Sequence, residues 1–259
     1  MKNTEEEWDQ VDPYNPEDDK FWVKLEHLGR YIFAADYLAQ FRPSAIADIA
    51  AGVGYGIPEL KKAAASIVAV DCSTEALDLA RAKYGESGVT FVHQDIEQGM
   101  LVSHLGASSV DAIVSFETLE HLLNPEGAIE QFSQLITLGG ALICSVPNVI
   151  YEPLWPIRRG GAGLPANKCH TQLFNFKSFS GLLTRHGFKI KYRLGQPWTN
   201  ILYTRESELA QKEVVQFKAG DRPELQIPDM IRMFTNLLGY PTAEDPDGSY
   251  SMIIVARKE

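Results

Sequence analysis

The stretch Asp48-Ile49-Ala50-Ala51-Gly52-Val53-Gly54-Tyr55-Gly56 lies between an apolar run, residues 45–50, and a helical pattern over residues 58–65. Glycines at such a junction let the backbone turn sharply and approach a ligand with no Cβ in the way. The free N–H groups of the following helix favour an anionic group, such as a nucleotide or a carboxylate.

Working outward, residues 67–70, 89–92, 110–115 and 141–146 are short apolar runs that read as strands. Between them, residues 74–84 and 126–138 carry helical spacing, the first opened by Ser73 as its cap. Strict alternation of strand and helix implies right-handed crossovers and a parallel sheet covered on both faces, a doubly wound α/β fold. Two later runs, 188–194 and 251–256, bring the mostly parallel sheet to seven strands. The long segment between them, with a helical stretch around 228–238, reads as an insertion or lid. Ahead of the core, Phe21, Leu25, Leu28, Ile32, Ala35 and Leu38 recur at helical steps until Pro43. The organisation expected is one domain: an acidic arm over 1–20, a helix over 21–43, the core over 44–194, the insertion over 195–250 and a terminal strand over 251–257. Arm and insertion would close together over a ligand.

A length of 259 residues, 45% of them hydrophobic, supplies a full core. A net charge of -10 argues against binding a phosphate backbone, which needs clustered Lys and Arg, so nucleic acid is not an expected partner. The acidic N-terminus is unlike a signal peptide and no run is long enough to span a bilayer, so a cytoplasmic location without membrane contact is expected. Cys72, Cys144 and Cys169 are too widely spaced for a disulfide framework or a paired metal site; they read as reduced thiols, and no metal is expected.

Two carboxylates add to the glycine turn. Asp71 ends the second strand, where such folds place an acceptor for two ribose hydroxyls. Asp95, followed by Ile96, ends the third, and is either an acceptor for an adenine amino group or a turn cap.

In order along the chain stand AxxxxDIAAGVGYG, VAVDCSTEAL, VTFVHQDIE and VDAIVSFETLEHLLNPEGAIEQFSQLITLGGALICSVPN. Over residues 24–195 this resembles the class I S-adenosylmethionine-dependent methyltransferases, with the last strand matching the family's terminal one. The resemblance implies a Rossmann-like fold and S-adenosyl-L-methionine as cofactor. Ala50, Gly52 and Gly54 would contact its methionine part, with Asp48 and Cys72 beside them in the cofactor set. Asp71 would hold the ribose, Asp95 and Ile96 the adenine, and Phe116 would close the site. The family's usual DxGxGxG is broken by Ala50. The stretch from Ser115 to His121 and the earlier His27-Leu-Gly-Arg30-Tyr31-Ile-Phe33-Ala34 are similar to a subgroup often associated with surface-glycan biosynthesis. In that subgroup Arg30 would grip the cofactor carboxylate; the alternative is a solvated helix arginine.

The acceptor implied is a small molecule, a sugar hydroxyl or another metabolite. A hydroxyl needs a base, and His121 and His170 are the candidates, against a structural role for His121. Glu117 would line the sulfonium or orient a histidine. Tyr151, Trp155, Phe174, Phe176 and Trp198 are read as an acceptor wall or as core. Two other readings remain: a non-catalytic binding protein, motivated by Ala50, and a nicotinamide oxidoreductase, whose GxGxxG spacing is absent.

Overall fold

The computed structural model describes residues 21–99, 101–150, 169–196, 232, 235–243 and 246–259. The expected arm, most of the insertion and Tyr151, Trp155 and Trp198 lie outside them.

Strands β1 (Ala45–Ile49), β2 (Ser66–Asp71), β3 (Val89–His93), β4 (Val110–Phe116), β5 (Ile136–Pro147), β6 (Phe188–Gln196) and β7 (Ser251–Lys258) form one sheet. Their order is β3-β2-β1-β4-β5-β7-β6, with β7 antiparallel to both neighbours and the other pairings parallel. Helices α1 (Phe21–Ala39), α2 (Ile57–Leu60), α3 (Thr74–Tyr84), α4 (Leu101–Leu105), α5 (Pro125–Leu135) and α6 (Phe176–Arg185) complete it. The seven-stranded, doubly wound reading is the one observed.

Alternating strand residues feed two cores, one on each face of the sheet. Ile46, Val114, Ile143 and Val255 pack with Tyr31, Ala34 and Leu38 of α1 and Ile57 and Leu60 of α2. Ala47, Ile113, Leu142 and Ile254 pack with Leu101 of α4, Ile129 and Phe132 of α5 and Phe179, Leu182 and Leu183 of α6. Phe174 and Phe176 belong to this second core, at 7% and 3% exposure, so they are packing residues and no acceptor wall.

Several boundaries shift for local reasons. Helix α1 stops at Ala39, short of the expected 43. Pro43 bars Arg42 from the right-handed α region, and Arg42 turns to φ 48°. The helix expected to reach 138 ends at Leu135, because β-branched Ile136 pairs with Val110 and opens β5 early. Helix α6 was missed although Asn175 and Ser178 form a reciprocal capping box ahead of an apolar stripe. Within the expected insertion, Thr235–Gly239 is a single π-helical turn. Among the described residues no helix is long and apolar enough to cross a membrane.

That π-turn lies directly on α1. A Cβ on Gly29 would overlap the Gly239 carbonyl, and one on Gly239 would overlap the Leu25 carbonyl, so backbone meets backbone. Gly29→Ala therefore separates two outcomes by sign. With the contact made, the methyl should lower the unfolding free energy by about 1–3 kcal/mol. If residues 235–239 do not dock there, alanine's helix propensity should raise it by about 1 kcal/mol. Urea unfolding of the two proteins decides.

Candidate functional site

The chain runs β1-β2-β3 toward one edge of the sheet and then crosses to β4 on the other side of β1. Open α/β sheets bind ligands at such a reversal, outside the carboxyl ends of the strands. Both strands that flank it end in backbone that non-glycine residues rarely adopt: Ala50 after β1 has φ 64° and Glu117 after β4 has φ 50°. Each left-handed residue costs about 1–2 kcal/mol, and strain of this kind gathers at functional sites. Ala50 thus adopts, at a conformational cost, the left-handed backbone a glycine would take freely, and it is exposed. Gly52 has φ 54° and open space where a Cβ would stand, so a ligand can approach the backbone there.

Asp71 closes the turn from the neighbouring strand. Its Oδ2 accepts from Gly52 N–H at 2.7 Å and its Oδ1 from Ser73 N–H at 2.9 Å. Two of a carboxylate's roughly four acceptor directions are thereby used. Cys72 beside it is exposed, and its carbonyl accepts from His93 Nε2 at 3.0 Å.

Asp95 takes the capping alternative. It accepts from Glu97 N–H at 2.9 Å and from Gln98 Nε2 at 2.6 Å. Ile96 is 9% exposed and borders the core.

Helix α1 crosses above the turn and supplies a polar network absent from the glycine motif. Tyr31 donates its hydroxyl to Asp48 Oδ1 at 3.0 Å and meets the rings of Phe116 and Tyr55 edge-on, centroids 5.0 and 5.3 Å apart. Phe116 is buried where it was expected to close the site. His27 Nδ1 lies 2.8 Å from the Tyr55 hydroxyl, and burial, reinforced by Arg30, drops its pKa to about 3, so the ring is neutral.

Arg30 is 1% exposed, which overturns the solvated alternative. Its Nε donates to Gln196 Oε1 at 2.8 Å, and its Nη1 stands 3.6 Å from Glu117 Oε1. Nη1 has no hydrogen-bond acceptor. Glu117 Oε1 also accepts from Ser145 Oγ at 2.7 Å and Ser251 Oγ at 2.9 Å. Burial, the largest single influence, would raise this carboxyl, but the Arg30 guanidinium, His27 and the two serine hydroxyls together outweigh it and hold Glu117 below the usual range. Of the expected roles for Glu117, orienting a histidine is thus secondary to compensating Arg30. Gln196, Ser145 and Ser251 were not singled out in the sequence.

Asp48 is the second orphan. It is fully buried, and Oδ2 has no partner. Burial lifts its pKa from 3.8 to about 7, against the lowering effect of the Tyr31 hydroxyl. The network thus offers one buried unsatisfied donor and one buried unsatisfied acceptor on the α1 side of the turn.

His121 and His170, read as separate candidates, are brought together: their rings lie 5.0 Å apart, perpendicular to each other, beside Glu120. They sit on the short 3-10 turn Leu119–His121, just past β4, and on the segment that follows residue 168.

Comparison with known proteins agrees with this geometry. Residues 47–144 match the family model of a methyltransferase domain. A probable S-adenosylmethionine-dependent methyltransferase of Mycolicibacterium smegmatis is 26% identical over 152 residues, 58% of this chain and 54% of that protein. A ubiquinone biosynthesis O-methyltransferase of Nitrosococcus oceani is 28% identical over 141 residues, 54% of this chain and 56% of the relative. The matches therefore span about half the length of these curated relatives. The N-methyltransferase NodS of Bradyrhizobium japonicum, solved with S-adenosyl-L-homocysteine, shares the fold at TM-score 0.53 and 14% identity, over 94% of each chain. Residues 47–144 thus match a methyltransferase domain, and the fold is one shared with solved methyltransferases.

The state of Asp48 can be measured without ligand. Folded, it keeps its proton up to about pH 7; unfolded, it loses it near 3.8. Its contribution to stability is fullest below the lower value and is lost as pH rises through the upper one. The stability of Asp48→Asn relative to the parent should therefore climb by about 1 kcal/mol or more between roughly pH 4 and pH 7, then level off. A pH-independent difference would show that Asp48 is ionised throughout.

Proposed function

We propose that the protein transfers the methyl group of S-adenosylmethionine to a hydroxyl of a small-molecule acceptor. The observation that carries this reading is the pair of buried, unsatisfied groups beside the glycine turn, Asp48 Oδ2 and Arg30 Nη1.

The donor set fits the cofactor. Its amino-acid end offers an ammonium and a carboxylate; the ammonium would draw Asp48 into its ionised form and take its free oxygen as acceptor, and the carboxylate would meet the buried guanidinium of Arg30. Gly52 leaves backbone accessible between them, while Gly54 is packed against Ala80 and Ile57 and serves the turn itself; Asp71 retains acceptor capacity for ribose hydroxyls, and Ile96 and Phe116 offer apolar walls. Asp95 would meet adenine only with directions left over from its capping bonds. Cys72, exposed beside Asp71, would border the same pocket.

When bound, the cofactor supplies a methyl group already activated on a sulfonium. What remains for the chain is to hold the acceptor oxygen in line, exclude water and take a proton. Nδ1 of His121 donates to the Cys169 carbonyl at 3.1 Å, because a carbonyl can only accept. The lone pair of the neutral ring is then on Nε2, and Nε2 of His121 or a ring nitrogen of His170 is the proton acceptor.

An oxygen acceptor draws support from the ubiquinone O-methyltransferase relatives. A sugar or glycan precursor, suggested by the FETxEH resemblance, is one class for an acceptor screen. The charge of -10 disfavours nucleic acid. The single-domain organisation and a lid made of residues 1–20 and 196–245 belong to the same proposal.

Calorimetric titration with S-adenosylmethionine should give micromolar affinity, and NADH no heat. Asp71→Ala should weaken cofactor binding by on the order of tenfold or more through two lost hydrogen bonds. Unchanged affinity in that variant would move the ribose elsewhere, and no binding at all would overturn the reading.

A further inference from the structure

We propose that Glu120, His121 and His170 form a binding site for a divalent transition-metal ion. One ligand atom from each of the three side chains lies within 4.8 Å of the others.

The tautomer of His121 points its ligating nitrogen inward. With Nδ1 donating to the Cys169 carbonyl at 3.1 Å, Nε2 carries the lone pair. A backbone carbonyl fixing one ring nitrogen so that the other faces a metal is the usual outer support of a histidine ligand. That Nε2 stands 3.7 Å from Glu120 Oε1. The gap is longer than a hydrogen bond of about 2.7–3.2 Å. It suits two bonds of about 2.0–2.2 Å meeting at one ion.

Backbone bonds hold the three residues in place. The Glu120 carbonyl accepts from Thr171 N–H at 2.8 Å and Gln172 N–H at 3.0 Å, and the Thr171 hydroxyl donates to the Leu122 carbonyl at 2.7 Å. These bonds clamp the segment bearing His170 onto the turn bearing Glu120 and His121. The Glu120 side chain is 2% exposed and that of His121 is 42%, so the cluster is anchored in protein on one side and open on the other.

Two imidazoles and one carboxylate suit Zn, Fe(II), Mn or Ni better than Mg or Ca, which take oxygen ligands. Three protein ligands leave coordination positions for an oxygen donor, as catalytic sites do and closed structural sites do not. With the ion bound, the histidine nitrogens are occupied as ligands and cannot serve as the base they would be in the ion-free site; an oxygen bound to the ion is acidified instead, and a hydroxyl would lose its proton to solvent. The expectation of no metal rested on sequence spacing, and His121 and His170 are too far apart along the chain to give any.

Binding of the ion does not depend on methyl transfer, and its test does not read activity. The tag-free full-length chain, stripped with chelator, is titrated with Co2+ by visible absorption and with Zn2+ by calorimetry. One ion per chain is expected at micromolar or tighter affinity, with Zn2+ displacing Co2+. His170→Ala and Glu120→Gln should each weaken uptake on the order of a hundredfold, while S-adenosylmethionine affinity persists as evidence of folding. In the unaltered protein Zn2+ should shift the ring nitrogen resonances of His121 and His170. No saturable uptake, uptake insensitive to both substitutions, or unmoved ring resonances would overturn the site and leave the cofactor reading intact.

Discussion

A guanidinium with 1% exposure is the constraint on which the ligand-binding edge depends. A buried charge needs an opposite charge and hydrogen bonds around it to offset its desolvation. Glu117 supplies the charge, and it is itself fixed by Ser145 at the end of β5 and Ser251 at the start of β7. Gln196, the last residue of β6, accepts from Arg30 and donates to the carbonyls of Glu26 and Gly239. Through one side chain, helix α1 is thus joined to the carboxyl ends of β4, β5 and β6, to the amino end of β7 and to the π-turn. β7 can reach this edge only because it runs antiparallel to its neighbours.

The network is deliberately incomplete. Arg30 keeps one buried nitrogen without an acceptor and Asp48 one buried oxygen without a donor. Orphans of this kind cost free energy in the empty protein, on the order of 1–3 kcal/mol each. They are tolerated where a ligand restores the missing bonds. The left-handed backbone at Ala50 and Glu117 adds strain at the same crossover, so strain and unsatisfied groups coincide at the edge where the cofactor is proposed to bind.

The sheet was legible because its signal is local. Runs such as 89–92 and 251–256 announce β3 and β7 to within a residue or two, and Asp71 follows from the end of β2. The partners of Arg30 were not legible, since Gln196 lies 166 residues away and only the folded sheet brings it near. Of the two readings left open for Phe174 and Phe176, wall or core, the structure takes core: the overlooked α6 turns Phe176 inward, and Phe174 joins it from the bridge to Asn148 just before the helix. The histidines were recognised by residue type alone. Their meeting beside Glu120 depends on bonds from Thr171 and Gln172 that no sequence pattern encodes.

The two ends of the proposed reaction are held by different kinds of force. The groups proposed to meet the cofactor, Asp48, Tyr31 and Arg30, are buried in or against the core and move only if the sheet and α1 move. The histidines hang on a 3-10 turn and a loop segment, joined by bonds from Thr171, Gln172 and His121 to backbone carbonyls, and His121 is open to solvent. Substitutions in that second cluster disturb little packing, so acceptor chemistry can change while cofactor binding is preserved. On the proposed reading, this is how one fold comes to serve many acceptors: the cofactor is argued from the strands and the acceptor is sought at the cluster beyond β4.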